Sequence, residues 1–174
     1  PTNVYASDGS YATQNDTSVA DTTDRLYARM DTNQFTIPQG SRIDGVEVLI
    51  ERATTCVYGP SNCFAQLMYN SGLIGTSKSG WNFGNGTDAV LTLGSPSDRW
   101  GAALNVVGVN HTTFGVGITL AFIDNDPGAA GNARIDQILL KVYYTVLGGA
   151  SGSGRGASTE MLRYITRHGT RIGK

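Results

Sequence analysis

The side chains that most often perform catalysis or hold metals are few in this 174-residue chain. His111 and His168 are its histidines, and Cys56 and Cys63 are its cysteines. A hydrolytic triad needs a nucleophile, a base and an orienting acid that meet in space. A structural zinc site needs four ligands at a recognised spacing. The sequence shows neither pattern, so we expect no catalytic residues, no metal, no cofactor and a non-enzymatic protein.

The carboxylates also fit structural roles better than chemical ones. Glu47 and Glu51 share one face of a predicted strand, about 13 Å apart, which exceeds the separation of paired glycosidase carboxylates. The run Asp124-Asn125-Asp126 resembles half of a calcium loop but lacks the bidentate Glu at its twelfth position. We therefore interpret the first pair as a solvated face and the second run as a turn.

Three aromatic side chains admit two interpretations. Trp81, Phe83 and Trp100 could form a platform on which a sugar ring stacks, and this would make the chain a glycan-binding module that contacts a host surface. Both tryptophans also flank Gly-rich turns, where they could instead pack against the ends of the fold. Exposure of the rings distinguishes the two interpretations.

The two cysteines bracket a turn sequence. Gly59, Pro60, Ser61 and Asn62 lie between Cys56 and Cys63, so the thiols could meet across a hairpin. We treat the pair as a disulfide candidate if the protein functions outside the cell. Two reduced thiols are the alternative expected in a reducing cytoplasm.

The dominant pattern along residues 1–147 is an alternation of apolar and small or polar residues, which predicts β-strands. Turn clusters such as IPQGS, YNSG and LGSPSD separate these runs, and a sequence of short strands with such turns predicts an all-β fold. We predict a single antiparallel β-sandwich, jelly-roll-like, over residues 1–147. Its expected core comprises Val46, Val48, Ile50, Phe114, Val116, Ile118, Leu120, Ile138, Leu140, Val142 and Tyr144. Shorter strands are predicted at Arg25–Met30, Gln34–Ile37, Cys63–Tyr69 and Ala89–Leu93.

The C-terminal segment differs from the body in composition and charge. Residues 148–158 are predicted to form a flexible Gly/Ser linker, and residues 159–174 a basic arm. Thr159 or Ser158 can cap a short helix in this arm, with Met161, Leu162 and Ile165 on one face. Residues 1–148 hold 8 Lys/Arg and 13 Asp/Glu (net −5), whereas residues 149–174 hold 5 Lys/Arg and 1 Asp/Glu (net +4). The arm is predicted to bind a partner through Met161, Leu162, Arg163, Tyr164, Ile165, Arg167 and Arg171.

Five segments in order carry a resemblance to a known module: YASDGSYAT, LYARMDTNQFTIPQGSRIDGVEVLIER, SDRWG, TTFGVGITL and ARIDQILLKVYYT. They resemble the β-sandwich module that recurs in virion proteins of tailed bacteriophages (decoration, tail or fibre-associated) and in some bacterial surface proteins. The cysteine pair and the basic arm depart from that module.

The resemblance implies a virion structural protein that decorates the capsid or associates with the tail or connector. Its expected partners are other virion proteins, and it is expected in several copies per assembly, with no membrane and no specific nucleic acid. The polar N-terminal sequence shows no signal-peptide core, so synthesis in the host cytoplasm and residence in the extracellular particle are expected.

Overall fold

A computed structural model of the chain describes residues 7–16, 22–29, 35–53, 62–81, 83, 88–122, 131–147 and 158–164. These residues form nine strands and one short helix. In chain order the strands are β1 (Ala12–Asp16), β2 (Thr22–Arg29), β3 (Arg42–Ala53), β4 (Asn62–Tyr69), β5 (Gly72–Trp81), β6 (Ala89–Ser95), β7 (Gly115–Phe122), β8 (Gly131–Thr145) and β9 (Ser158–Tyr164), with helix α1 (Val106–Val109) between β6 and β7.

The strands form two antiparallel sheets. The first has the order β1-β8-β3-β6, with β9 also paired to β8, and the second has the order β2-β7-β4-β5. Strands that follow each other along the chain therefore alternate between the sheets for most of the fold, and β8 returns beside β1. Eight strands wound in this way form a jelly roll. The predicted all-β sandwich is confirmed.

The core lies between the two sheets and follows from the alternation in sequence. Val46, Val48 and Ile50 of β3 stand directly opposite Val142, Leu140 and Ile138 of β8. Directly opposite residues project to the same face of a sheet, and all six side chains are fully buried. On the second sheet, Val116, Ile118 and Leu120 of β7 complete the core. Every residue of the predicted core is buried.

The predicted turn before β3 is present, and a glycine within β3 allows a close backbone approach. The backbone N–H of Ser41 donates to the carbonyl of Pro38 at 3.2 Å, and Gly40 has φ +79°, so Pro38-Gln39-Gly40 turns the chain as a type II turn requires. Gly45 interrupts β3 where the backbone of Pro96 approaches closely; a Cβ there would lie 2.4 Å from the Pro96 carbonyl. Glycine at this position therefore allows the close approach of the two backbones.

The helix predicted for the C-terminal arm is wrong over residues 158–164, which form strand β9 instead. An isolated helix of about ten residues is marginal in water. The edge of β8 offers this segment seven antiparallel register pairs, from Thr145 with Ser158 to Leu139 with Tyr164. Backbone hydrogen bonds to the existing sheet therefore replace the helical hydrogen bonds that the apolar spacing of the arm predicted.

One strand prediction needs correction, and one strand was not predicted. Residues 35–38 are irregular rather than a strand, with Phe35 and Ile37 buried; residue 34 lies outside the described part. Ile37 is held by Asn110, whose side chain accepts from its N–H at 3.0 Å and donates to its carbonyl at 2.9 Å. Strand β5 was not predicted, because its exposed sequence GLIGTSKSG has no apolar alternation.

Candidate functional site

Strand β8 is the longest element of the fold and is paired along both edges. One edge pairs with β3 over residues 134–145. The other edge is shared by two strands: β1 covers residues 131–135, and β9 covers residues 139–145. The C-terminal arm thus completes an edge that β1 covers only in part, and we take this edge as the candidate attachment site.

The structure brings four of the seven predicted partner-binding residues to this edge. Met161, Leu162, Arg163 and Tyr164 occupy β9 opposite Val142, Lys141, Leu140 and Leu139 of β8, respectively. The remaining three, Ile165, Arg167 and Arg171, lie outside the described residues. The first part of the arm is therefore a strand of the sheet, and a partner-binding role for the arm remains a prediction.

The C-terminal half of β8 is fixed from its β3 side by side-chain hydrogen bonds. The hydroxyl of Thr145 donates to Asp44 Oδ2 at 2.5 Å, and the hydroxyl of Tyr143 donates to Glu47 Oε2 at 3.0 Å. Arg42 Nε donates to the other oxygen of Asp44 at 2.7 Å. Partial burial alone would raise the pKa of Asp44, but the bonds from Thr145 and Arg42 outweigh it and lower the pKa. The carboxylate therefore keeps the end of β8 in place.

On the opposite side of the sandwich, residues 95–102, which we call the clasp, join the edges of the two sheets. Trp100 is 1 % exposed, and its indole N–H donates to the carbonyl of Val46 in β3 at 2.9 Å. The carbonyl of Trp100 accepts from the N–H of Thr76 in β5 at 2.6 Å. Trp100 thus forms hydrogen bonds to both sheets. The SDRWG segment therefore has a structural role, which is to join them.

An ion pair reinforces the clasp. Asp98 Oδ1 accepts from the backbone N–H of Trp100 at 2.7 Å, and Oδ2 pairs with Lys78 Nζ of β5. The ammonium also lies 5.3 Å from the centre of the Trp100 ring, within cation–π range. Partial burial raises the pKa of Asp98, but the bonds from Lys78 and Trp100 together with the Lys78 charge outweigh it, so the pKa lies below its usual value.

Of the two interpretations of the aromatic residues, the sugar-stacking platform does not form. Trp81, Phe83 and Trp100 are 6 %, 5 % and 1 % exposed and belong to the core. Trp81 and Phe83 pack on each other with ring centres 5.7 Å apart. Stacking on a sugar needs an exposed ring face, and close packing of the two sheets and the clasp covers these rings. The interpretation of the three residues as packing groups is the one that the structure supports.

The disulfide candidate stays a prediction. Cys63 lies on β4 and is fully buried, while Cys56 lies outside the described residues. Mass spectrometry of native protein alkylated without reduction measures the pairing directly. Two alkylated thiols would contradict it.

A buried carboxylate that we did not predict holds the N-terminal segment. Asp136 is 2 % exposed and occurs where the register shifts between Glu51 and Arg52 of β3. Its Oδ2 accepts from the backbone N–H of Gly9 at 3.1 Å. Next to it, the hydroxyl of Tyr11 donates to Asp88 Oδ2 at 2.7 Å. These bonds seat residues 7–11 of the YASDGSYAT segment beside the start of β1.

His111 is an exposed loop residue. Its Nδ1 lies 2.9 Å from Thr113 Oγ1 and accepts from the Thr113 N–H at 3.2 Å. A cleft of about 50 Å³ nearby is lined by Tyr69, Ile74, Leu104, Asn105 and Phe114, among others. This volume is far below the several hundred Å³ of typical ligand pockets.

Two further findings concern the described residues as a whole. No three of their His, Cys, Asp and Glu side chains gather as a metal site would require. None of their helices has the length and apolar character needed to cross a membrane. Compared with protein-family models, curated proteins and solved structures, the chain matches none of them.

Proposed function

We propose that this chain is a non-enzymatic structural protein of a tailed-bacteriophage virion, located on the capsid, tail or connector and held in the particle by its C-terminal arm. The five-segment resemblance motivates the virion assignment. The observation that supports the attachment role is that the basic arm supplies an edge strand to a sheet, here residues 139–145 of β8 in its own chain, a form of pairing that a neighbouring body could also receive. Backbone pairing at a sheet edge is a recurrent way to join a segment to a folded body.

The construction of the body supports a role that needs rigidity. The clasp ties both sheets together through Trp100, and Asp44 fixes the end of β8. The net charge differs between the two parts of the chain, at −5 in residues 1–148 and +4 in residues 149–174. A rigid acidic body with a basic arm suits a component that is repeated in an assembly, because each arm then meets an acidic surface on a neighbour.

The test is the incorporation of arm variants into particles. Removing residues 149–174 altogether would also uncover the edge of β8, so point changes are preferable. We expect Arg167→Gln with Arg171→Gln to reduce occupancy in purified particles by about tenfold, measured by quantitative mass spectrometry, because both cations can pair with carboxylates of a partner. The control is Arg42→Gln with Arg99→Gln, which makes the same change in charge on the body. Because Arg42 bonds to Asp44 and Arg99 donates to the carbonyl of Leu104, urea denaturation must first show that this control variant stays folded.

Two results would contradict the proposal. Absence of the wild-type chain from purified particles would reject the virion assignment. Wild-type occupancy of the arm variant would reject attachment through the arm, and equal losses in the arm variant and its control would point to general charge instead.

A further inference from the structure

The edge of β8 that β9 covers requires a permanent partner. Leu140 and Val142 in this stretch are fully buried and Tyr144 is 6 % exposed. Departure of β9 would leave seven residues of this apolar strand, 139–145, without an edge partner. Bare strand edges of this kind pair with other chains and promote aggregation. A strand on this edge, from the same chain or from another, therefore protects the fold from such pairing.

The chain connecting β8 to β9 does not dictate whose β9 fills the edge. Twelve residues, 146–157, separate Thr145 from Ser158, and five of them are glycines. Twelve extended residues span at most roughly 40 Å. A β9 strand can thus reach β8 of its own chain or β8 of a neighbour, and it forms the same register pairs in either case.

We propose that β9 is exchanged between copies in the assembled state, so that the arm of one chain fills the β8 edge of a second copy. The inference deepens the proposed function and rests on it, since it identifies the partner of the arm. A Gly-rich tether of twelve residues gives the strand an effective concentration on the order of 1 mM at its own edge. Isolated chains at micromolar concentration therefore keep β9, whereas copies crowded in an assembly exchange it. The acidic body and basic arm favour a neighbour of the same kind.

The first experiment shortens the connection. Deletion of residues 148–157 leaves Val146 and Leu147 between Thr145 and Ser158, and two-residue hairpin turns need residues that accept positive φ, which these do not. We expect the shortened full-length chain to dimerise at about 10 μM, roughly 100-fold below the concentration at which the wild type dimerises. Light scattering after size exclusion measures this. Restoring ten Gly/Ser residues in place of 148–157 is the control and should restore the monomer. A folded monomer of the shortened chain overturns the proposal.

The second experiment keeps the native connection and decides the matter if the shortened chain does not fold. In a Cys56→Ser, Cys63→Ala background, a Lys141→Cys chain is mixed with a Leu162→Cys chain at about 1 mM, a concentration near that of the tethered strand, and oxidised. These positions are directly opposite in the β8–β9 register, so exchange links the two chains. The control replaces Lys141→Cys by Gln137→Cys, which lies outside that register. We expect at least tenfold more linkage between 141 and 162 than in the control; equal or absent linkage overturns the proposal.

The outcomes separate this inference from the proposed function. Exchange would be supported, and attachment through the arm charges rejected, if the shortened chain dimerises while the arm variant keeps full occupancy in particles. A monomeric shortened chain with lost occupancy of the arm variant would reject exchange and leave the proposed function supported.

Discussion

The clasp and strand β9 both cover a side of the sandwich, but they are attached in different ways. The clasp connects directly to β6 and reaches both sheets: Trp100 bonds to Val46 and Thr76, and Asp98 pairs with Lys78. Strand β9 pairs with one strand, β8, at the end of a twelve-residue, Gly-rich connection. The clasp contains a side chain buried at 1 % exposure, whereas β9 adds one strand to an edge.

The difference separates what specifies the fold from what remains available for assembly. A buried indole with a satisfied N–H stabilises one arrangement of the two sheets and no other, because its hydrogen bond and its packing are both tied to the same site. A tethered edge strand can be supplied by another copy with the same backbone pairing, as in domain swapping. We therefore expect loss of the clasp to reduce stability and loss of β9 to change association.

The largest expected effect is that of removing the indole. Trp100→Ala should lower the free energy of unfolding by about 3–5 kcal/mol, through the cavity and the lost burial. Trp100→Phe retains much of the ring but leaves the Val46 carbonyl without its donor, and should cost about 2 kcal/mol. Urea denaturation followed by tyrosine fluorescence measures both. A loss below about 1 kcal/mol for Trp100→Ala would mean that the clasp does not hold the sheets together.

The second prediction concerns how easily the two regions open. Amide hydrogens of β9 should exchange on the order of 100-fold faster than those of Val46, Val48 and Ile50 in isolated protein, because local opening of an edge strand breaks fewer contacts than opening of a central strand. Hydrogen-exchange mass spectrometry measures the ratio. If the amide hydrogens of the central strand exchange as fast as those of β9, the two regions do not differ in how easily they open. In assembled particles, slower exchange of β9 than in isolated protein would sharpen it.

Much of the sheet structure could be predicted from the sequence, and the sequence also carries a signal for the register shifts between β3 and β8. Apolar residues at even positions from Val46 to Ile50 and from Ile138 to Tyr144 place those residues in the core. Ile43 and Ile135 are buried at odd positions, and this break in parity marks the register shifts near Gly45 and Asp136. Such a break is the sequence signal of a bulge, because one extra residue moves later side chains to the other face.

The parts that could not be predicted depend on contacts distant in sequence. Strand β5 is recruited by pairing to β4 rather than by its own polar sequence. The arm has apolar spacing that fits a helix, yet the edge of β8 determines its conformation. The burial of Trp100 depends on Val46, 54 residues away, so local composition allowed both a packing role and an exposed sugar platform.

The smallest predicted effect tests the ion pair of the clasp. Lys78→Met removes the partner of Asp98, and because both side chains are about one-third exposed the loss at neutral pH should be about 1 kcal/mol or less. The pKa of Asp98 is below its usual value of 3.8 in the folded chain. The stability that ionised Asp98 contributes to the folded chain is therefore fully present above pH 3.8. It is lost as the pH falls below that value through the folded pKa.

Asp44, whose pKa is also lowered, contributes acid sensitivity in the same range and remains in the Lys78→Met variant. We therefore expect urea denaturation at pH 6 and at pH 3 to show a smaller loss of stability in Lys78→Met than in the wild type, but not its disappearance. Arg42→Met is the comparison variant. The Arg42 side chain is 63 % exposed, so its loss should cost less at neutral pH, and because its bond lowers the pKa of Asp44 the acid sensitivity of this variant should also decrease. Identical acid sensitivity of wild type and Lys78→Met would show that the ion pair adds nothing to the clasp, and that the buried indole and its backbone bonds alone distinguish the clasp from β9.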